Sequence, residues 1–148
     1  MKRLFKLFAL VLLLHSCITK ETDVTVNTVI INNSGYEVTY IAFGEISNER
    51  KVVLNIENGE QAIRIKSDIG EVNPFPLDAD SVYIIFAERK QLKYKFSWEA
   101  DPIPDDDRNP YSENAYEKES VGKHRRKYTY TITEEDYNNA LPIEPADE

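Results

Sequence analysis

Few side chains in this chain belong to the usual catalytic repertoire. There is one cysteine and there are two histidines among 148 residues. Nucleophilic catalysis needs a nucleophile, a base and a group that orients the base. Cys17 and His15 lie together near the N-terminus, while His124 sits far away in the cluster Lys123-His124-Arg125-Arg126-Lys127, and no Gly-x-Ser-x-Gly turn occurs. No catalytic set can be assembled from them. Carboxylates are plentiful, 26 in all, but glycoside hydrolysis requires two of them held about 5 to 9.5 Å apart across a sugar-sized cleft. A chain this short leaves little room for such a cleft. The expectation is a protein that is not an enzyme.

Hard cations want several oxygen ligands. Asp101, Asp105, Asp106, Asp107 and Asn109 are close in sequence, and Asp105-x-Asp107-x-Asn109 imitates the opening of an EF-hand loop. Where that loop needs its turn glycine this chain has Pro110, and where it needs a bidentate glutamate it has Tyr116. The expectation is no cofactor, with Ca²⁺ at Asp105, Asp107 and Asn109 as a weak metal candidate. Asn32-Asn33-Ser34 has the spacing of an N-linked sequon, and no glycan is expected on it. The basic cluster from Lys123 to Lys127 is expected to offset the acidic run before it rather than to hold nucleic acid.

The elements that must position these residues begin after a leader. Met1-Lys2-Arg3-Leu4-Phe5-Lys6 is basic, Leu7 to Leu14 is unbroken apolar, and His15-Ser16-Cys17 follows. A spanning helix needs ~20 apolar residues, so this shorter run reads as a cleaved signal, residues 1–16. Leu14-His15-Ser16-Cys17 resembles the lipobox of bacterial lipoproteins, with His15 where a small residue is preferred. That resemblance implies lipidation of Cys17. Each buried acyl methylene contributes about 0.8 kcal/mol, so several chains on one residue make a durable anchor. Residues 17–24 would be the tether, and Lys20-Glu21 with Asp23 resembles the charged export tag of Bacteroidota surface lipoproteins. Removing the leader takes away Lys2, Arg3 and Lys6 and no acid, which moves the formal charge from −8 to about −11. Such a charge opposes nucleic acid and anionic lipid surfaces.

With 41% hydrophobic and 11% aromatic residues, residues 25–141 suffice for one domain with a core. Its apolar residues are β-branched or aromatic and come in short runs, which predicts about seven strands: Val26–Ile31, Tyr36–Phe43, Lys51–Ile56, Gln61–Lys66, Val82–Ala87, Leu92–Trp98 and Lys127–Ile132. Asn58-Gly59 predicts a hairpin joining the third and fourth, with Ile63 and Ile65 facing the core and Arg64 and Lys66 facing water. Pro110 to Glu119 is expected to form a short helix presenting Tyr111 and Tyr116. Thr133 before Glu134, Glu135 and Asp136 starts a helix running to about Ala140, and 142–148 is an acidic tail.

The lipobox, Ile31-Asn32-Asn33-Ser34-Gly35-Tyr36 and the terminal run from Tyr128 to Tyr137 together resemble small uncharacterised Bacteroidota lipoproteins. The resemblance implies an immunoglobulin-like β-sandwich and an outer-membrane location, surface-exposed or periplasm-facing, and brings no catalytic residues. Asp80-Ser81-Val82 further resembles the O-glycosylation motif of exported Bacteroidota proteins, with Ser81 as acceptor. The combined expectation is an all-β, single antiparallel sandwich with a short C-terminal helix, lipid-anchored to the membrane. It would act as a binding module for an envelope protein or glycan, or as an accessory subunit of an envelope complex. Trp98, Tyr111, Tyr116, Arg125 and Arg126 are the expected ligand-binding residues, since aromatics and arginines dominate binding hot spots.

Overall fold

A computed structural model describes residues 23–43, 52–69, 79–96 and 108–144. The chain is mostly β, in two open sheets with one short helix. The strands are β1 (Asp23–Asn33), β2 (Val38–Phe43), β3 (Val52–Ile56), β4 (Gln61–Ile69), β5 (Ser81–Phe86), β6 (Lys90–Lys95), β7 (Glu117–Gly122), β8 (Arg125–Thr133) and the two-residue β9 (Leu141–Pro142), with helix α1 at Glu134–Asn139. One sheet runs β4-β1-β8-β7 and the other β3-β2-β5-β6-β9.

Alternation in the sequence puts the core where the sheets face each other. Val38, Tyr40 and Ala42 of β2 and Val82, Ile84 and Phe86 of β5 meet Val26 and Ile30 of β1 and Tyr128, Tyr130 and Ile132 of β8 in one cluster. Leu92, Tyr94 and Phe96 pack against it while Lys93 and Lys95 face outward, as the period of two requires.

Four expectations change. First, the sheets are not purely antiparallel: β1 pairs in parallel with β8, from Thr25 opposite Arg125 to Asn33 opposite Thr133, and antiparallel with β4 on its other side. A long β1 satisfies both of its edges this way. Second, Asn58-Gly59 makes its turn, with Gly59 at φ +82, but β3 and β4 lie in different sheets. The turn is an arch between sheets and not a hairpin. Its polar groups are spent on the end of β1: the Gly59 N–H donates to Asn32 O (2.6 Å), the Asn32 N–H to Glu60 O (2.9 Å), and the Gly35 N–H to Asn58 Oδ1 (2.8 Å).

Third, the register of β4 on β1 sets Ile63 opposite Val29 and Ala62 opposite Ile30. Because Ile30 faces the core, Ala62, Arg64 and Lys66 share that side, and Ile63 and Ile65 are left 56% and 66% exposed. Ladder pairing with β1 overrides the local alternation. The region 110–119 is likewise not a helix. It holds one 3-10 turn at Glu113–Ala115 and then enters β7. By contrast, α1 forms where expected. Asp136 accepts the Thr133 N–H at 2.7 Å, satisfying an N-terminal donor that the helix itself leaves open.

The segment from 108 to 116 closes one end of the core. Arg108 Nε donates to Asp136 Oδ1 at 2.9 Å, Nη2 contacts Oδ2, and Nη2 also donates to Thr131 O at 2.9 Å. Burial pushes the Arg108 charge toward loss, but the Asp136 carboxylate beside it wins and raises its affinity for the proton. Tyr130 donates to Arg108 O at 2.8 Å, so strand, crossover and helix are tied at one point.

Candidate functional site

The expected ligand-binding residues separate in the fold. Tyr111 is 1% exposed, its hydroxyl donates to Ala79 O at 2.8 Å, and its ring lies 5.4 Å from that of Phe96. Tyr116 is 7% exposed, donates to Pro110 O at 2.7 Å and packs 5.6 Å from Tyr130. Both are core residues, which corrects their assignment as contact residues. An amphipathic ring with its hydroxyl bonded to a backbone carbonyl fills the end of a small sandwich at no polar cost. Arg125 and Arg126 do stay exposed, at the start of β8. Trp98, Cys17, Asp105 and Asp107 lie outside the described residues.

Asn109 is described, and it is a turn residue: its Oδ1 accepts the Tyr111 N–H at 3.0 Å and its carbonyl accepts the Ser112 N–H at 2.8 Å. Among the described residues no group of three or more His, Cys, Asp or Glu side chains could hold a metal ion. Ser81 is half-buried at the start of β5, between Phe43 and Lys95 in register and on the outer face of its sheet. Asn32 is fully buried with its amide spent on internal hydrogen bonds, so the sequon there is unusable as an acceptor.

What Arg126 does have is a groove. Strand β7 is the last of its sheet and entirely exposed, and it pairs with β8 so that Lys118 faces Tyr128, Glu119 faces Lys127 and Ser120 faces Arg126. With Glu113 these side chains line a surface groove of about 260 Å³. Lys118 is held by Glu113 at 2.5 Å and Lys127 by Glu119 at 3.4 Å. Arg126 has no carboxylate partner among the described residues. Beyond Ser120 the ladder shifts register at Val121 before Gly122 meets Arg125, a bulge of the kind that re-aims side chains at sheet margins. The groove therefore offers backbone donors and acceptors along β7, a hydroxyl, and one cation more than its two carboxylates neutralise.

The sequence pointed to Arg125 and Arg126 but not to their setting. Glu117-Lys118-Glu119-Ser120-Val121-Gly122 has no apolar alternation, and an edge strand exposed on both faces needs none. The basic cluster flanking it was the available signal. Among the described residues no helix is long and apolar enough to cross a membrane. No protein family, curated protein or solved structure matches the chain.

Proposed function

We propose that this chain is a non-enzymatic binding module of the cell envelope, exported by residues 1–16, lipidated at Cys17 and held at the outer membrane. The carrying observation is the β7 groove, where a terminal strand meets Arg126 and the paired Lys118 and Lys127. Strand addition supplies affinity through the main chain and specificity through alternate side chains, and the surplus cation favours an acidic extended segment of an envelope protein. The second reading, an accessory subunit of a larger envelope complex, uses the same edge. The finer fold proposed is an immunoglobulin-like sandwich, supported by the arches that carry β1 to β2 and β3 to β4 between sheets, and departing from it in the parallel β1–β8 pair.

The test places a photocrosslinking residue at Ser120, beside Arg126, and another at Lys93 on the opposite sheet, in cells carrying the full chain. A discrete adduct from position 120 alone, lost on Arg126→Glu, supports the groove. Adducts equal at both positions, or unchanged by Arg126→Glu, reject it. Protease shaving of the same cells, with Cys17→Ala as control, reads the anchor and its side of the membrane: release of Cys17→Ala from the membrane fraction is expected, and retention rejects lipid anchoring.

A further inference from the structure

Independently of the β7 groove, the turn between β1 and β2 meets helix α1 through two tyrosines. Tyr36 and Tyr137 lie face to face, with ring centroids 3.8 Å apart and planes inclined by 21°. Aromatic pairs ordinarily prefer offset or edge-on arrangements with centroids about 4.5–7 Å apart, so something other than ring attraction holds this overlay. The hydroxyls supply it: the Tyr36 phenol is raised above its ordinary pKa first by its hydrogen bond with Tyr137 and then by the charge that Tyr137 can carry. With the rings overlaid and their hydroxyl ends together, the carbons beside each hydroxyl face those of the other ring.

Both rings are held before any reaction. Asn32 Nδ2 donates to Tyr36 O at 2.7 Å, and the Tyr36 N–H donates to Ser34 Oγ at 3.3 Å. The Tyr137 ring meets Phe86 edge-on at 5.7 Å, and Lys90 Nζ stands 4.4 Å from its centroid while donating to Tyr137 O at 3.0 Å. Tyr36 covers one face of Tyr137, so Lys90 takes the other. Tyr36 is 40% exposed and Tyr137 half-buried, which lets a small oxidant reach the pair from solvent. Tyr116 also meets Tyr128 and Tyr130, but those rings are edge-on or tilted, with centroids 6.4 and 5.6 Å apart, and all three are buried. The chain has one cysteine, so it closes no disulfide within itself.

We propose that Tyr36 and Tyr137 are an oxidative modification site, coupled by a one-electron oxidant of the peroxide class into a dityrosine that fastens α1 to the β1–β2 turn. Each phenol gives one electron to the oxidant and one proton to water. The two phenoxyl radicals then form one carbon–carbon bond between ring carbons beside their hydroxyls, and the hydrogen on each bonded carbon moves to its own oxygen to restore the phenol. The pair loses two electrons and two protons in all, and the O–O bond of the peroxide breaks as it takes up the two electrons. Holding the two rings in contact favours their coupling over loss of either radical to solvent. A link between positions about 100 residues apart constrains the unfolded chain as a disulfide does, and more strongly the longer the loop it closes.

The full chain, dilute enough that chains rarely meet, is illuminated with ruthenium tris-bipyridine and persulfate, with and without urea. The expected product is a monomer lighter by two hydrogen atoms, with dityrosine fluorescence and a digest in which the fragments holding Tyr36 and Tyr137 are joined. Tyr36→Phe and Tyr137→Phe keep the ring and remove the phenol, and each is expected to abolish that link. The isolated product should melt about 10 °C or more above the unreacted protein. No link between the two fragments, an equal yield in urea, a link that survives either substitution, or an unchanged melting midpoint overturns the proposal. The contrast between native and urea-unfolded chains is made on the unaltered protein and stands even where a variant does not fold.

Discussion

The guanidinium of Arg108 forks onto the carboxylate of Asp136, a residue 28 positions later in the chain and 2% exposed. Asp136 also accepts the first N–H of α1's cap from Thr133, so one buried carboxylate serves helix start and crossover together. Arg108→Ala leaves that carboxylate buried without its cation, and the expected loss is about 3–5 kcal/mol. Urea unfolding of the two proteins at neutral pH checks it. A loss under about 1 kcal/mol would mean that solvent reaches Asp136 and that the pair is an ordinary surface contact.

Asn32 is a second fully satisfied polar site in the core. Its Nδ2 donates to Tyr36 O at 2.7 Å and Ile56 O at 2.8 Å, and its Oδ1 accepts from the Ser34 N–H at 3.1 Å and the Ser34 hydroxyl at 2.7 Å. All four capacities of the amide are in use. Asn32→Ala removes the donor to Tyr36 O and Ile56 O and the acceptor of the Ser34 N–H and hydroxyl, and should cost about 3 kcal/mol. Asn32→Asp should be worse at neutral pH than at acid pH, because a carboxylate cannot donate to Tyr36 O and Ile56 O while a protonated acid regains one donor. Thermal melts at the two pH values would show it, and equal melts would count against the network.

The strands were legible wherever one face is apolar. Leu92, Tyr94 and Phe96 against Lys93 and Lys95, or Tyr128, Tyr130 and Ile132 against Thr129 and Thr131, declare strand and facing at once. Partners were not legible. Asn58-Gly59 specifies a turn, but whether two strands then pair or part depends on who else competes for β4, and β1 wins it through Val29, Ile30 and Ile31. The same competition explains the inverted facing of Ile63 and Ile65. At the candidate site, Arg125 and Arg126 could be picked out by charge, whereas β7 was hidden because an edge strand in solvent carries no periodicity. Tyr111 and Tyr116 misled for the opposite reason: an aromatic in a polar stretch looks like a contact residue until a carbonyl is found for its hydroxyl.

The β5–β6 hairpin carries a strained turn. Ala87 and Glu88 both have positive φ, 45 and 57, and the Arg89 N–H donates to Phe86 O at 2.9 Å. Both residues stand in the left-handed region, which Asn and Gly tolerate best, and a left-handed backbone costs an ordinary residue about 1–2 kcal/mol. Ala87→Asn with Glu88→Gly is expected to stabilise the protein by about 1 kcal/mol without altering the β5–β6 register. The midpoint of urea unfolding should rise. An unchanged or lower midpoint would show that the strain is relieved elsewhere.

Alkaline pH should unfold the chain from its tyrosines. Burial holds the Tyr40, Tyr116 and Tyr130 phenols protonated well beyond their ordinary range. In the unfolded chain they ionise near ~10, so above that pH the folded state binds more protons than the unfolded one. Stability then falls as pH rises, and below that pH it is unaffected by these groups. Of the nine tyrosines, Tyr40, Tyr116 and Tyr130 should ionise only together with loss of β-sheet circular dichroism. Smooth titration of all nine with the sheet signal intact would remove the buried placement.

The outward facing of Ile63 and Ile65 is itself testable, because identical chemistry has opposite consequences on the two faces of a sheet. At 56% and 66% exposure each isoleucine has little burial to lose, and threonine keeps the β-branched shape that a strand favours. Ile63→Thr with Ile65→Thr should change stability by less than about 1 kcal/mol and leave the amide spectrum of β1 and β8 in place. Ile84→Thr on β5, fully buried, removes methyl contacts and buries a hydroxyl without an evident acceptor, for which the expected loss is about 2–4 kcal/mol. A double outward variant that loses as much as Ile84→Thr would mean that β4 pairs with β1 one residue out of the register found here. In that case Ile63 and Ile65 would face the core and Arg64 the solvent, so this comparison decides the facing of β4.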